Sequence, residues 1–189
     1  MKIRIALFAS GNGTNVQRIA EYFREHASIE VAAVYCNKPD AFVLTRARNL
    51  GIPHRIFSRE ELEEGEVMAM LIADHVDWII LAGFLWKVPD NILEAYPEHI
   101  INVHPALLPA YGGKGMYGHR VHEAVIANKE KESGITIHLV DEVYDHGDHL
   151  FQARVALDEN ETPDTLANKI HALEQEYFPL IIEKTLLSN

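Results

Sequence analysis

The stretch Ile3-Arg4-Ile5-Ala6-Leu7-Phe8-Ala9-Ser10-Gly11-Asn12-Gly13-Thr14-Asn15-Val16-Gln17-Arg18-Ile19-Ala20-Glu21-Tyr22-Phe23 changes period in its middle. Ile3 to Ala9 is a near-continuous apolar run, the pattern of a strand buried on both faces. Val16, Ile19, Ala20 and Phe23 then recur at helical spacing. Between them lies Ser10-Gly11-Asn12-Gly13-Thr14-Asn15, so the unit reads strand, Gly-rich turn, helix. Such a turn aims backbone N–H groups at one place, and a helix N-terminus favours an anion there. A phosphate is the natural ligand; a tight turn that binds nothing is the plainer reading. The dinucleotide fingerprint G-x-G-x-x-G fails, because Val16 stands at its third glycine and no acid ends the next strand, Val34-Tyr35-Cys36-Asn37.

The rest of the chain repeats this alternation. Strands are expected at Ile29 to Cys36, Ile52 to Phe57, Trp78 to Ala82 and Ile100 to His104. Helices are expected at Phe42 to Leu50, closed by Gly51, at Glu60 to His75, weakened at Gly65, and at Pro89 to Tyr96. His119 to Asn128 reads as a helix, and Ile135 to Val140 as a less fully buried strand. Leu150 to Leu157 follows as a strand antiparallel to it. Thr162-Pro163 opens a last helix, which Pro179 is expected to bend or split. The pattern predicts an α/β fold: a single-domain, Rossmann-like, open and mostly parallel sheet over 1–189, with helices on both faces and an antiparallel C-terminal strand. Tyr111 to Gly118 holds four glycines in eight residues and reads as a mobile loop.

Composition narrows the function classes. The 189 residues carry 17 Lys and Arg against 28 Asp and Glu, a net charge of -11. That balance argues against nucleic acid or an anionic membrane as the main partner, though not against a local anion site. Cys36 is the only cysteine, so neither a disulfide framework nor a Cys-based metal cluster is expected. The chain opens directly on Lys2-Ile3-Arg4-Ile5 without a signal-peptide pattern, and no apolar run is long enough to span a bilayer. A cytoplasmic protein acting on small molecules is the expectation. No residue pattern selects an oligomeric state.

The chemistry concentrates in Ile100-Ile101-Asn102-Val103-His104-Pro105-Ala106-Leu107-Leu108-Pro109. Asn102 and His104 are two apart on a strand and project from one face. Pro105 stops the ladder behind them. An amide and an imidazole delivered together can hold a carbonyl and stabilise the oxyanion it becomes. A polar strand end satisfied by its own loop is the plainer alternative. The turn Asp141-Glu142-Val143-Tyr144-Asp145-His146-Gly147-Asp148-His149 can place a carboxylate against His104, raising its pKa and keeping it protonated. Its His and Asp residues match no specific metal-ligand spacing, and no metal is expected. Trp86, at a strand end on the ligand edge, is equally readable as core or as ligand platform.

These residues, taken together, resemble the phosphoribosylglycinamide formyltransferases of the folate-dependent formyltransferase superfamily. The resemblance runs through Ser10–Asn15, Asn37–Phe42 with Leu44, Arg46, Ala47 and Gly51-Ile52, then Leu81–Phe84 and Asn102–Pro109. It continues in Gly134, Thr136, His138, Asp145, Gly147 and His171-Ala172-Leu173-Glu174 before Pro179. N-x-H-P-x-L-L-P is shared across the superfamily; the S-G-N-G-T-N turn favours the glycinamide branch. The resemblance implies formyl transfer from 10-formyltetrahydrofolate, a cosubstrate rather than a bound cofactor, to the amine of glycinamide ribonucleotide. It implies Asn102, His104 and Asp145 as catalytic residues, with Asp145 keeping His104 charged. It implies Gly13, Thr14 and Asn15 on the ribonucleotide phosphate and Glu174 on the same substrate. Arg59, Leu85, Trp86, Lys87, Val88, Asn102 and Asp141 are implied on the folate. Leu85-Trp86-Lys87-Val88 departs from the family's Met-Arg-Ile-Leu, and the loop Tyr111 to Gly118, with Lys114 and Met116, is longer than the common pattern. A methionyl-tRNA formyltransferase would need a longer chain with a basic RNA-binding extension. A formyltetrahydrofolate hydrolase would share Asn102, His104 and Asp145 but usually adds an N-terminal regulatory domain. A nucleotide-binding protein without catalysis would need the turn and not His104.

Overall fold

The structure, a computed structural model, describes residues 1–188 and divides into two compact units, Met1–Ile101 and Asn102–Asn189. In the first, β1 (Ile3–Ala9) is followed by α1 (Thr14–Phe23), β2 (Ile29–Cys36), α2 (Val43–Leu50) and β3 (His54–Ile56). Then come α3 (Arg59–Glu64), α4 (Glu66–Ala73), β4 (Trp78–Leu81) and α5 (Asp90–Ala95). β1 pairs in parallel with β2, from Ile3 opposite Ile29 to Ala9 opposite Cys36, and with β4, from Ile5 opposite Trp78 to Phe8 opposite Leu81. β2 pairs in parallel with β3. The order is therefore β3-β2-β1-β4, with the start of β5 (Ile100–His104) next in line. Val16, Ile19, Ala20 and Phe23 are all buried, so the helical period that followed the turn is the face α1 lays on the sheet.

Parallel pairing brings the carboxyl ends of β1, β2 and β4 to one edge, where ligands bind in open α/β sheets. Two bonds lock the loops there. Ser10 N–H donates to the Gly83 carbonyl at 3.0 Å, and Ser10 Oγ accepts from Leu85 N–H at 3.0 Å.

The second unit begins within β5. It continues through α6 (His119–Ala127), β6 (Glu132–Leu139), β7 (His149–Ala156) and α7 (Pro163–Leu187), with the order β5-β6-β7 and the last pair antiparallel. The sheet is thus mixed and mostly parallel, with its antiparallel pair at the C-terminal end. Gly134 makes the β6–β7 contact possible: a Cβ there would stand 1.9 Å from the Ala153 carbonyl oxygen.

Three local expectations change. Gly65 does not merely weaken a helix; at φ 104 it ends α3 and starts α4, a backbone state that glycine adopts without strain. Pro179 does not split α7, which runs unbroken for 25 residues. Buried Ile170, Phe178, Ile182 and Leu186 hold both sides of the proline in place, so packing outweighs the lost hydrogen bond. β6 starts at Glu132 and is buried rather than half-exposed, because its polar side chains are bonded inside. Thr136 Oγ donates to the Ala106 carbonyl at 2.7 Å and accepts from Leu108 N–H at 2.9 Å. Gln152 Nε2 donates to the same hydroxyl at 2.9 Å and to the Leu108 carbonyl at 3.0 Å. These bonds tie down the Pro105–Pro109 loop that follows His104.

Candidate active site

Asn102 and His104 end β5 as their spacing required, and the second unit closes around them. His104 is 3% exposed. Its Nε2–H donates to the Tyr111 carbonyl at 2.7 Å, since a carbonyl can only accept. Its Nδ1 then faces Asp145 Oδ1 at 3.5 Å. Asp145 is the carboxylate of the 141–149 turn that reaches the imidazole. It sits at φ 55, and its Oδ2 accepts the Gly113 N–H at 2.9 Å. Gly147 lets the turn fold back, because a Cβ there would lie 2.0 Å from the Leu139 carbonyl oxygen.

A second histidine, His138, completes the cluster. Its Nδ1–H donates to the Leu139 carbonyl at 2.8 Å, and Nε2 accepts from Asn102 Nδ2 at 3.1 Å. The same Nε2 is 3.6 Å from Asp145 Oδ1. This orients the Asn102 amide and leaves its second N–H to donate. The sequence reading gave His138 no role. Its period-2 spacing from Thr136 on a strand was the available signal.

The electrostatics revise one expectation. Burial pushes the His104 imidazole below its ordinary value, against the opposing pull of the Asp145 carboxylate, the Tyr111 carbonyl and the Glu174 charge. Desolvation thus outweighs the pairing, and the shift runs opposite to the rise that a neighbouring carboxylate alone would give. Burial also raises Asp145, but its contacts with His138 and His104 and the Gly113 N–H together hold it below the ordinary carboxylate range. His122, on α6, is 6% exposed, has no partner for Nδ1, and is pushed down by burial. Glu174 lies on α7 with His171 Nδ1 at 3.6 Å. The loop at 111–118 is pinned at its start: Tyr111 Oη donates to Glu130 at 2.6 Å and accepts from Asn128 Nδ2 at 2.9 Å. Asp141 accepts from Val143 N–H at 2.8 Å and lies 3.1 Å from His146 Nδ1. Among the described residues no group of three or more His, Cys, Asp or Glu is placed to hold a metal ion.

In the first unit the Gly-rich turn has Gly13 at φ 78, just before Thr14 and Asn15 open α1. A Cβ on Gly13 would strike Val43 Cγ2 at 2.3 Å. The glycine is therefore required by α2 beneath the turn. On the same sheet edge Trp86 is half-buried. Its ring meets Phe57 and Phe84 at centroid distances of 6.3 Å, and the Arg59 guanidinium lies 4.7 Å over it. Leu85 and Lys87 are exposed, whereas Val88 is buried. Among the described residues no helix is long and apolar enough to cross a membrane.

A buried imidazole with a half-buried amide and carboxylate beside it, at the end of a strand in an α/β fold, defines an enzyme class that works on a carbonyl carbon and moves a proton beside it. The formyl transferase family model matches residues 3–182. The chain is 37% identical to the chloroplastic phosphoribosylglycinamide formyltransferase of Arabidopsis thaliana, across 97% of the chain and 66% of that protein. It is 35% identical to the phosphoribosylglycinamide formyltransferase of Bacillus subtilis, across 97% of the chain and 94% of the relative. The crystal structure of glycinamide ribonucleotide transformylase 1 from Geobacillus kaustophilus superposes with a TM-score of 0.89 at 33% identity, covering 98% of this chain and all of that one. The chain belongs to the formyl transferase family, among its phosphoribosylglycinamide formyltransferases.

Proposed function

We propose that the protein transfers the formyl group of 10-formyltetrahydrofolate to the amine of glycinamide ribonucleotide, a step of purine biosynthesis, and that the span 1–189 serves this one activity in the cytoplasm. The observation that carries the reading is the Asn102–His104–His138–Asp145 cluster, with both histidines buried, in a chain of this family. The amine nitrogen attacks the formyl carbon, and the carbonyl oxygen becomes an oxyanion. The Asn102 amide, held by His138, donates to that oxygen. The neutral His104 accepts the proton that the attacking nitrogen must lose, directly or through water. The proton arrives on Nδ1, the nitrogen that faces Asp145, and the imidazolium so formed is stabilised by that carboxylate. Collapse of the intermediate breaks the bond to the folate nitrogen, which takes up a proton and leaves as tetrahydrofolate.

In this reading Gly13, Thr14 and Asn15 hold the ribonucleotide phosphate and Glu174 meets the same substrate. Arg59, Leu85, Trp86, Lys87, Val88, Asn102 and Asp141 line the folate. The Arg59–Trp86 pair offers a cation and an aromatic face to a ligand with carboxylates and an aminobenzoyl ring. The test is product identification: incubation with both substrates should yield formylated ribonucleotide and tetrahydrofolate in equal amounts. Unmodified ribonucleotide beside consumed formyl folate would refute it.

A further inference from the structure

The Gly-rich turn is gripped from outside its own sequence. Arg46, on the second turn of α2, reaches back 34 residues to it: Nε donates to the Asn12 carbonyl at 2.8 Å and Nη2 to Asn12 Oδ1 at 2.6 Å. Nη1 bonds Gln17 Oε1, on the first turns of α1. The guanidinium also lies 4.9 Å over the Phe42 ring. Beside it Val43 N–H donates to the Gly11 carbonyl at 3.1 Å, and the Val43 side chain fills the space under Gly13. Two of the turn's carbonyls are thus engaged by α2, and its side-chain acceptor is taken by an arginine.

An anion site made of backbone amides needs its N–H groups pointing outward and its carbonyls turned away and neutralised. We propose that Arg46 is a positioning residue for phosphate recognition: its fork holds Asn12 and Gln17 so that the 11–15 backbone presents N–H groups to the ribonucleotide phosphate. Three of its five N–H groups are turned to Asn12 and Gln17, so its part in phosphate recognition runs through the turn. The planar fork matters, because the three bonds diverge in one plane. The charge adds a favourable field at a helix N-terminus that carries no side-chain cap. This inference rests on the phosphate reading of the turn proposed above.

The test compares Arg46→Met and Arg46→Lys with the unaltered protein, by calorimetry, against glycinamide ribonucleotide and its dephosphorylated ribonucleoside. Arg46→Met should weaken ribonucleotide binding by about ten- to a hundredfold, the scale of hydrogen bonds to a charged group. It should leave ribonucleoside and folate affinities within about twofold, on the scale of an untouched site. Arg46→Lys keeps the charge but loses the fork and should fall between; it also carries the comparison if Arg46→Met does not fold. Equal losses for both ligands would reduce Arg46 to a structural brace and overturn the proposal, as would no loss at all. If the unaltered protein binds ribonucleotide and ribonucleoside equally, the phosphate reading of the turn itself fails, and this inference with it.

Discussion

Asp145→Asn isolates the charge that the mechanism assigns to the active-site carboxylate. The substitution is nearly isosteric. Asparagine tolerates the left-handed backbone at this position, φ 55, at least as well as aspartate. Its carbonyl oxygen can still accept the Gly113 N–H, so the turn should hold. What disappears is a negative charge 3.5 Å from His104 Nδ1 and 3.6 Å from His138 Nε2. At an effective dielectric constant of about 20, a unit charge pair at that distance is worth about 5 kcal/mol. Relaxation of the new amide recovers part of it. A loss of roughly 3–4 kcal/mol in the transition state corresponds to about 10²–10³ in kcat, the range expected when a positioned charge or oxyanion donor is removed. His104→Ala should cost a similar factor, and the double variant little more, because the pair works as one unit. Steady-state kinetics with both substrates, calorimetric Kd values and thermal melts separate catalysis from binding and folding. A folded Asp145→Asn protein with kcat within about fivefold of the unaltered enzyme would refute the reasoning.

Four further outcomes follow from the same structure. The neutral, acid-shifted His104 predicts that kcat/KM falls only on the acid side of an apparent pKa below 6.5. A rate that instead rises towards acid would make the imidazolium the active resting form. Linkage carries the same sign: stability from the buried neutral His104 is full above about 6.5 and is lost as pH falls through the depressed folded value, with Asp145 adding a loss at still lower pH. Chemical melts of His104→Gln across that range should flatten the first window; an unchanged slope would contradict it. Gly134→Ala should destabilise by about 2–4 kcal/mol, as backbone-level overpacking does, because its Cβ meets the Ala153 carbonyl at 1.9 Å; an unchanged urea midpoint would show that the strands part freely. Amide exchange should be slow at Gly113, whose N–H is bonded to Asp145, and fast over 114–118, with both ligands slowing the latter; uniform exchange in all states would remove any ligand-responsive role for the loop.

Much of this was legible in the chain before any coordinates, for identifiable reasons. Period decides local structure, and the four apolar residues of α1 point inward as their spacing required. The Asn102-x-His104 pair was readable because a strand has a two-residue repeat. What escaped the sequence depends on neighbours far along the chain. Thr136 and His138 looked like an outward face, yet both are buried, because Ala106, Leu108, Gln152 and Asn102 supply their partners. The direction of the His104 shift is set by burial, and a carboxylate partner can be guessed from a motif but the depth of burial cannot. Pro179 reads as a helix breaker locally and is overruled by the packing on either side. Gly13 looked open to a ligand and is closed on one side by Val43, thirty residues on.

The central claim is that formyl transfer waits for the acceptor amine. The direct measurement follows folate absorbance as the protein meets 10-formyltetrahydrofolate, with and without glycinamide ribonucleotide. A transferase consumes the formyl group rapidly only when ribonucleotide is present, and Asp145→Asn abolishes most of that rate. Equal consumption without ribonucleotide would make water the acceptor and the protein a hydrolase, contradicting the account.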